Sequence, residues 1–262
     1  MKLSISNIAW SADRDDGMYE LLRQKQIDGL EIAPTRILSE RPYERLEEIG
    51  IWSDWLAAEY GLVIPSMQSI WYGRQENLFR SEKERKTLLH YTKQAVLFAE
   101  RIHCSNLVFG CPRNRSILQG DTAESAVEFF RELGEFAWAH HTVIGMEANP
   151  PMYNTNYINR TEEALELIDQ AASRGFRLNL DVGTMIANGE SPELLRGKTY
   201  LVQHVHISEP GLKPIQKRQL HRDLICLLRE EGYDRFVSVE MGKTEDMDLL
   251  SQILDYGKEI IS

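Results

Sequence analysis

Two histidines stand two positions apart in a short run that has the composition of a β-strand. His204 and His206 lie within residues 201–207, where valine and isoleucine recur, and Pro210 follows the run. β-Branched residues favour strands and proline interrupts them. Because side chains two residues apart on a strand point to the same face, both imidazoles should face one side. Two buried imidazoles side by side indicate that polar groups lie opposite them.

Three other strand-like runs each end in a carboxylate. They span residues 143–147, 176–181 and 236–240, and they end in Glu147, Asp181 and Glu240. In these runs and in the histidine run, the residue two positions before the last polar residue is small or polar, and the residue between them is apolar. The apolar residues are Met146, Leu180, Val205 and Val239. Alternate residues of a barrel strand point inward and outward, so the four polar ends should face the barrel axis together.

This set of residue types favours a metal site. Three carboxylates close together cannot all stay ionised without compensation, and a divalent cation is the simplest compensation. The three carboxylates together with His206 suit Mn²⁺, Mg²⁺ or Co²⁺ better than a thiolate-type zinc site, with Zn²⁺ as a further option. The predicted metal ligands are Glu147, Asp181, His206 and Glu240. His204 lies one layer deeper, where it would support the ligands or pack on the axis.

Strand and helix patterns alternate eight times along the chain, which indicates a parallel sheet with helical crossovers. Eight such units in 262 residues match the size of a (β/α)8, or TIM, barrel. Residues 62–68 are the predicted third strand, and helices are predicted at residues 41–60 and 122–140, among others. No linker divides the chain, so we expect an α/β fold with a single domain over residues 1–262. The active site of such a barrel lies at the carboxyl ends of its strands.

Composition narrows the choice of partners and compartment. The net charge of −10 disfavours a nucleic-acid or anionic-membrane partner, and hydrophobic residues make up 42% of the chain. No apolar run reaches the roughly 20 residues needed to cross a bilayer. The three cysteines lack metal-type spacing and fit a reducing compartment. Since the first residues read as a strand rather than a leader, we expect a cytoplasmic protein, and a homo-oligomer is compatible with this interpretation.

The chain resembles the xylose isomerase-like TIM-barrel superfamily, in particular its sugar-phosphate isomerase and epimerase branch with the tagatose 3-epimerase-type enzymes. The matching segments are residues 29–32, 145–147, 180–183, 204–209 and 239–240. This resemblance implies that the four predicted ligands bind Mn²⁺, Mg²⁺ or Co²⁺. It also implies that Glu147 and Glu240 form the catalytic acid/base pair that moves a proton next to a carbonyl, through an enediolate, on a small carbohydrate substrate.

The chain departs from the epimerase pattern at the positions that bind the end of a ketose. A histidine of the pattern is Thr184 here, an arginine is Leu212, and the loop at residues 148–153 lacks a second glutamate. The residues predicted to bind substrate are Asn7, Trp10, Glu31, Gln68, Trp71, Arg113, Arg115, His204 and Glu209. The two arginines could hold a phosphate or carboxylate, or belong to a solvated basic loop. The tryptophans could wall the sugar, or pack in the core or a lid.

Three alternative functions stay open. A dehydratase of the same superfamily, acting on an inosose or a dehydroshikimate, would use the same metal and base. An apurinic-site endonuclease would need extra ligands where this chain has Gln68 and Cys111, and a positive surface. A non-enzymatic barrel would need no metal.

Overall fold

The computed structural model describes residues 1–118 and 123–262 as a curled parallel sheet surrounded by helices. The strands are β1 (Lys2–Ser6), β2 (Gly29–Glu31), β3 (Leu107–Phe109), β4 (Ile144–Met146), β5 (Phe176–Asp181), β6 (Val202–Ile207) and β7 (Phe236–Val239). The helices are α1 (Asp15–Gln24), α2 (Pro34–Ile37), α3 (Leu46–Tyr60), α4 (Glu82–Arg101), α5 (Glu124–Ala139), α6 (Thr161–Ala171), α7 (Val182–Asn188), α8 (Gln219–Glu230) and α9 (Met247–Ile261). None of these helices is both long and apolar enough to cross a membrane.

The sheet runs in the order β2-β1-β7-β6-β5-β4-β3, and every pair is parallel. Residues 62–68 join its two edges through isolated bridges rather than as a regular strand. The amide of Leu30 donates to the carbonyl of Val63 (2.9 Å) on one side, and the amide of Val108 donates to the carbonyl of Met67 (2.8 Å) on the other. These bonds close the sheet, and the predicted α/β barrel is confirmed.

The third predicted strand is irregular because of its own sequence. Pro65 has no amide to donate and therefore interrupts the ladder. Its ring also packs against β2 at Gly29, where an added Cβ would lie 3.0 Å from Pro65 Cδ and 2.9 Å from the Phe236 ring. The segment can approach β2 this closely only because residue 29 has no side chain.

Two predicted helices have different bounds. The helix predicted at residues 41–60 starts at Leu46, because Arg41 adopts a left-handed φ of 44° and Pro42–Glu44 forms a 3-10 turn. Helix α5 starts at Glu124, and the predicted start at Thr122 lies outside the described residues. Helix α7 was not expected from the sequence.

The interior of the barrel is polar, as the alternation of residue types predicted. Asn179 pairs in register with His204, and His206 pairs with Ser238 on the next strand. All four side chains are buried. The intervening apolar residues, Met146, Leu180, Val205 and Val239, belong to the hydrophobic core. The strands therefore present their polar residues to the axis and stack them beneath the barrel mouth.

Candidate metal centre

Four predicted ligands meet at the mouth of the barrel. Asp181 ends β5 and His206 lies in β6, while Glu147 and Glu240 directly follow β4 and β7. One ligand atom from each of these side chains lies within 4.8 Å of the other three. The four consecutive strands thus bring three carboxylates and one imidazole to a single point, as the sequence predicted.

Neighbouring amides fix the two glutamates. Asn179 Nδ2 donates to Glu147 Oε1 (2.9 Å), and Asn149 Nδ2 donates to Glu147 Oε2 (3.0 Å). Gln68 Nε2 donates to Glu240 Oε1 (2.8 Å). Because each carboxylate already has a donor on one side, its orientation toward the shared centre is set before any ligand binds.

A glycine makes room for Glu147. An added Cβ at Gly110, just after β3, would lie 2.7 Å from Glu147 Oε2. Real Cβ atoms do not approach a carboxylate oxygen so closely, so any larger residue at this position would push the carboxylate away from the cluster.

His206 is held with one ring nitrogen toward the cluster and the other toward the barrel interior. Its Nε2 lies 2.8 Å from Glu31 Oε2, and its Nδ1 lies 3.0 Å from Glu147 Oε1 and 3.2 Å from Glu240 Oε2. A carboxylate that accepts the Nε2 proton leaves Nδ1 to serve as a metal ligand. Glu31 therefore sets which nitrogen of His206 faces the metal centre.

Protons compensate the buried negative charge of the cluster. Burial raises the pKa of the Asp181 carboxyl to about 6, and the charge of Glu147 adds to the effect. Burial likewise raises the pKa of Glu240 to about 7. Burial alone would lower the pKa of His206, but Glu31 and Glu240 outweigh it and hold that pKa well above its ordinary range. The cluster thus retains protons that a bound cation would replace.

The donor set fits a divalent cation. Three carboxylates dominate it, and oxygen-rich sets with one imidazole suit Mg²⁺, Mn²⁺ and Co²⁺. Among the residues that the structure describes, a second group of potential ligands consists of Glu31, His204 and His206. It shares His206 with the first group and lies deeper, with all three side chains buried. We interpret the second group as side chains that hold His206 in place for the first group.

The cluster forms one wall of a cavity of about 160 Å³. Gln68, Ser208 and Glu209 line the cavity on the side of the carboxylates. Tyr153 and Leu212 also line it, and Tyr153 Oη accepts from the amide of Gly211 (2.8 Å). This contact joins the loop after β4 to the loop after β6 over the site.

Two predicted substrate-binding residues line this cavity and two support it from below. Gln68 and Glu209 line it, although the Glu209 carboxylate is paired with Arg218 (Nε to Oε1, 2.7 Å). Glu31 and His204 lie in the interior, where His204 Nε2 is 2.8 Å from Ser238 Oγ.

Three others make internal contacts. Asn7 Oδ1 accepts from the amide of Ala33 (2.9 Å). The indole nitrogen of Trp10 donates to Asp15 (2.8 Å), and that of Trp71 donates to Thr92 (2.7 Å). Both tryptophans are buried, so their indoles pack within the protein.

The two arginines after β3 occupy different environments. Arg113 is exposed and lines a neighbouring groove. Arg115 is fully buried, and its guanidinium donates to the carbonyl of Glu147 (2.9 Å) and to Asn149 Oδ1 (2.8 Å). Burial lowers the pKa of Arg115 to about 10. Arg115 therefore fastens the loop that carries Glu147 instead of facing the cavity.

Replacing Arg115 with methionine should lower the free energy of unfolding by about 3 kcal/mol, because the carbonyl and amide acceptors would lose a charged donor inside the protein. Urea unfolding monitored by circular dichroism measures the loss. Arg113→Met is the matched control, since an exposed side chain two residues earlier should change stability by only about 0.5 kcal/mol. Equal losses in the two variants would contradict the assignment.

Several supporting residues were not recognised from the sequence as functional. Asn179 and Ser238 were placed on the inward face, but their bonds to Glu147 and His204 depend on strand register. Asn149 and Ser208 lie just beyond strand ends, and Ser208 donates to Asp181 Oδ2. An amide or hydroxyl within two residues of a predicted ligand is the signal that would have found these two.

A family model described as the xylose isomerase-like TIM barrel matches residues 54–259. The chain belongs to this family. No curated protein matches the chain significantly in sequence. The four-residue cluster therefore lies at the mouth of a xylose isomerase-like barrel.

Solved structures show the same fold at low sequence identity. D-psicose 3-epimerase from Clostridium cellulolyticum H10, solved with D-tagatose, is 16% identical with a TM-score of 0.80, and the match covers 100% of both chains. 3-Keto-D-glucoside 4-epimerase from E. coli is 17% identical with a TM-score of 0.76, covering 99% of this chain and 98% of that one. An L-ribulose 3-epimerase is 15% identical with a TM-score of 0.75, covering 98% and 86%.

Proposed function

We propose that the chain is a divalent-metal-dependent sugar isomerase or epimerase that moves a proton next to a carbonyl through an enediolate. The observation that carries this proposal is the meeting of Glu147, Asp181, His206 and Glu240 at the mouth of the barrel, on one wall of a cavity. The similar structures support it, because they are epimerases of psicose, a keto-glucoside and ribulose. We also propose that residues 1–262 form one domain and that the protein is cytoplasmic.

The proposed metal ligands are Glu147 Oε1, one oxygen each of Asp181 and Glu240, and His206 Nδ1. A bound divalent cation supplies Lewis acidity, which polarises a carbonyl and stabilises developing negative charge on oxygen. The protein side of this centre is prepared by Gln68, which holds Glu240, and by Glu31, which holds His206.

The two glutamates are the proposed acid and base. One carboxylate takes the proton from the carbon next to the carbonyl and leaves an enediolate. The other returns a proton to the opposite face of that carbon, which gives an epimer, or to the neighbouring carbon, which gives an isomer. Glu240 loses its proton when a cation binds, and its carboxylate is then free to accept a proton from carbon. Glu147 accepts hydrogen bonds from two amides, which hold its carboxylate in place.

The testing experiment is incubation of the metal-loaded protein with ketoses, aldoses and their phosphates in D₂O. Deuterium at the carbon next to the carbonyl, together with an epimer or isomer in the NMR spectrum of the products, supports the proposal. A dehydrated product would instead identify a lyase. Absence of exchange with every sugar in the panel would reject the isomerase or epimerase activity.

Metal affinity should depend on pH in a defined direction. Asp181 and Glu240, with pKa values of about 6 and 7, and His206, whose pKa is held well above its ordinary range, must lose their protons to bind a cation, so affinity should fall as the pH drops. The expected slope is roughly tenfold in affinity per pH unit for each displaced proton. Calorimetric titration of the metal-free protein with Mn²⁺ at about pH 5.5, 6.5 and 7.5 measures it. Glu240→Gln should lower the slope near pH 7 by the contribution of one proton and leave that of His206, and a constant affinity in the wild type would contradict the assignment.

A further inference from the structure

A second cavity adjoins the metal cavity. It has a volume of about 650 Å³ and shares the wall residues Ser69, Cys111 and Pro112 with the metal cavity. Its own lining includes Tyr72, Arg74, Gln75, Arg80 and Arg113, and we call it the arginine groove. The two cavities are therefore neighbours.

The two cavities carry opposite charges. The charged side chains that line the metal cavity, in the described part of the chain, are all carboxylates: Glu147, Asp181, Glu209 and Glu240. Those that line the arginine groove within the same residues are all guanidiniums: Arg74, Arg80 and Arg113. An anionic group therefore finds positively charged side chains in the second cavity and none among the described residues that line the first.

One of the three guanidiniums is free to bind a ligand. Arg74 pairs with Glu76 and lies 4.7 Å from the centre of the Tyr91 ring. Arg80 lies 3.2 Å from Glu84. Arg113 has no carboxylate partner among residues 1–118 and 123–262, and it is exposed. Arg113 can thus offer its donors to an anion without giving up an existing ion pair.

The groove is a built feature of the fold. Asn114 Nδ2 donates to the carbonyls of Arg74 (3.1 Å) and Glu76 (2.8 Å), and the carbonyl of Asn114 accepts from the amide of Leu78 (2.8 Å). These bonds tie the loop after residues 62–68 to the loop after β3. They hold together the two loops from which Arg74 and Arg113 line one groove.

We infer that the substrate carries an anionic group, a phosphate or a carboxylate, that binds in the arginine groove while its hydroxy-carbonyl end lies at the metal centre. This inference rests on the proposed function and adds the substrate class. Arg113 binds the anion, and Tyr72, which is 71% exposed, packs beside the connecting carbons. The metal cavity is left to the uncharged hydroxyl and carbonyl groups.

Exchange in D₂O with matched sugars tests the inference. Three pairs compare a sugar with its phosphate: D-fructose with its 6-phosphate, D-tagatose with its 6-phosphate and D-ribulose with its 5-phosphate. D-fructuronate, compared with D-fructose, tests a carboxylate in place of the phosphate. For at least one pair, the anionic member should have the higher kcat/KM, mainly through a lower KM. Arg113→Ala should reduce that preference by roughly 10- to 100-fold. Arg174→Ala is the matched control, since this exposed arginine precedes β5 at the opposite end of the barrel.

The outcomes separate the two proposals. If free ketoses exchange and the anionic members do so no better, the inference is wrong and the proposed function stands. A preference that survives Arg113→Ala also overturns it. If no sugar exchanges, the proposed function fails. Titration of the metal-free protein with inorganic phosphate then tests whether the arginine groove binds an anion. Phosphate binding that Arg113→Ala weakens and Arg174→Ala leaves unchanged supports the anion site, and absence of binding rejects it.

Discussion

Replacing Glu240 with glutamine should slow deuterium exchange at carbon by roughly 10²- to 10⁴-fold at saturating metal. Glutamine has a similar shape and can keep a contact with Gln68, but it cannot accept a proton from carbon. The measurement is the exchange rate in D₂O of the sugar that the wild-type protein exchanges fastest.

A second measurement separates lost catalysis from lost metal. Calorimetric titration with Mn²⁺ gives the affinity of each variant, so the exchange rates can be compared at full occupancy. Glu245→Gln is the matched control, because this exposed glutamate follows Glu240 in the chain but does not line the cavity. It should slow exchange by less than about tenfold. An exchange rate for Glu240→Gln within threefold of the wild type would show that Glu240 is not part of the acid/base pair. Such a change corresponds to only about 0.6 kcal/mol of activation free energy.

The metal cluster was predictable from the sequence because it depends on short-range rules. Each member of the cluster is the last inward-facing residue of its strand or directly follows the strand, and parity along a strand is a local property. Fold topology then places β4, β5, β6 and β7 side by side, so residues far apart in the chain converge. No side-chain detail was needed to expect Asp181 beside His206.

The supporting residues were harder to predict because loops position them. Arg115 has the sequence context of a surface arginine, yet the chain after β3 turns back and buries it under the loop of Glu147. Trp71 follows the third strand segment, and its indole turns away to reach Thr92 on α4. Neither direction follows from hydrophobic periodicity, because both depend on how two distant segments pack. The irregular bridges at residues 62–68 escaped prediction for a related reason, since only the effect of Pro65 is local.

Glu31 has a position that the sequence predicts and a contact that it does not. It ends β2 and was predicted from the sequence to bind substrate. The structure shows it fully buried, with Oε2 2.8 Å from His206 Nε2 and 3.3 Å from His204 Nε2. Burial alone would raise the pKa of Glu31, but the two histidines outweigh it and hold the pKa well below its ordinary range. A charged carboxylate thus lies directly behind the imidazole that faces the metal centre.

Replacing Glu31 with glutamine should weaken Mn²⁺ binding by roughly 10- to 100-fold without removing any metal ligand. The amide keeps the volume of the side chain but loses the negative charge that makes His206 a more basic ligand and fixes its Nε2 proton. The pKa of His206 in the metal-free protein should fall, because Glu31 is the main group that raises it. Calorimetry gives the affinity, and ¹⁵N NMR of the imidazole gives both the tautomer and the pKa.

Ser238→Ala is the matched control for this effect. It removes the other partner of His204, at 2.8 Å, from the same buried layer while leaving the contact between Glu31 and His206 intact. A folded Ser238→Ala protein should therefore keep the metal affinity and the His206 tautomer of the wild type. Equal loss of affinity in both variants would assign Glu31 to the packing of the interior rather than to His206. Because the tautomer responds only to the hydrogen-bond partner of the ring, this readout distinguishes positioning of the ligand from general destabilisation of the barrel.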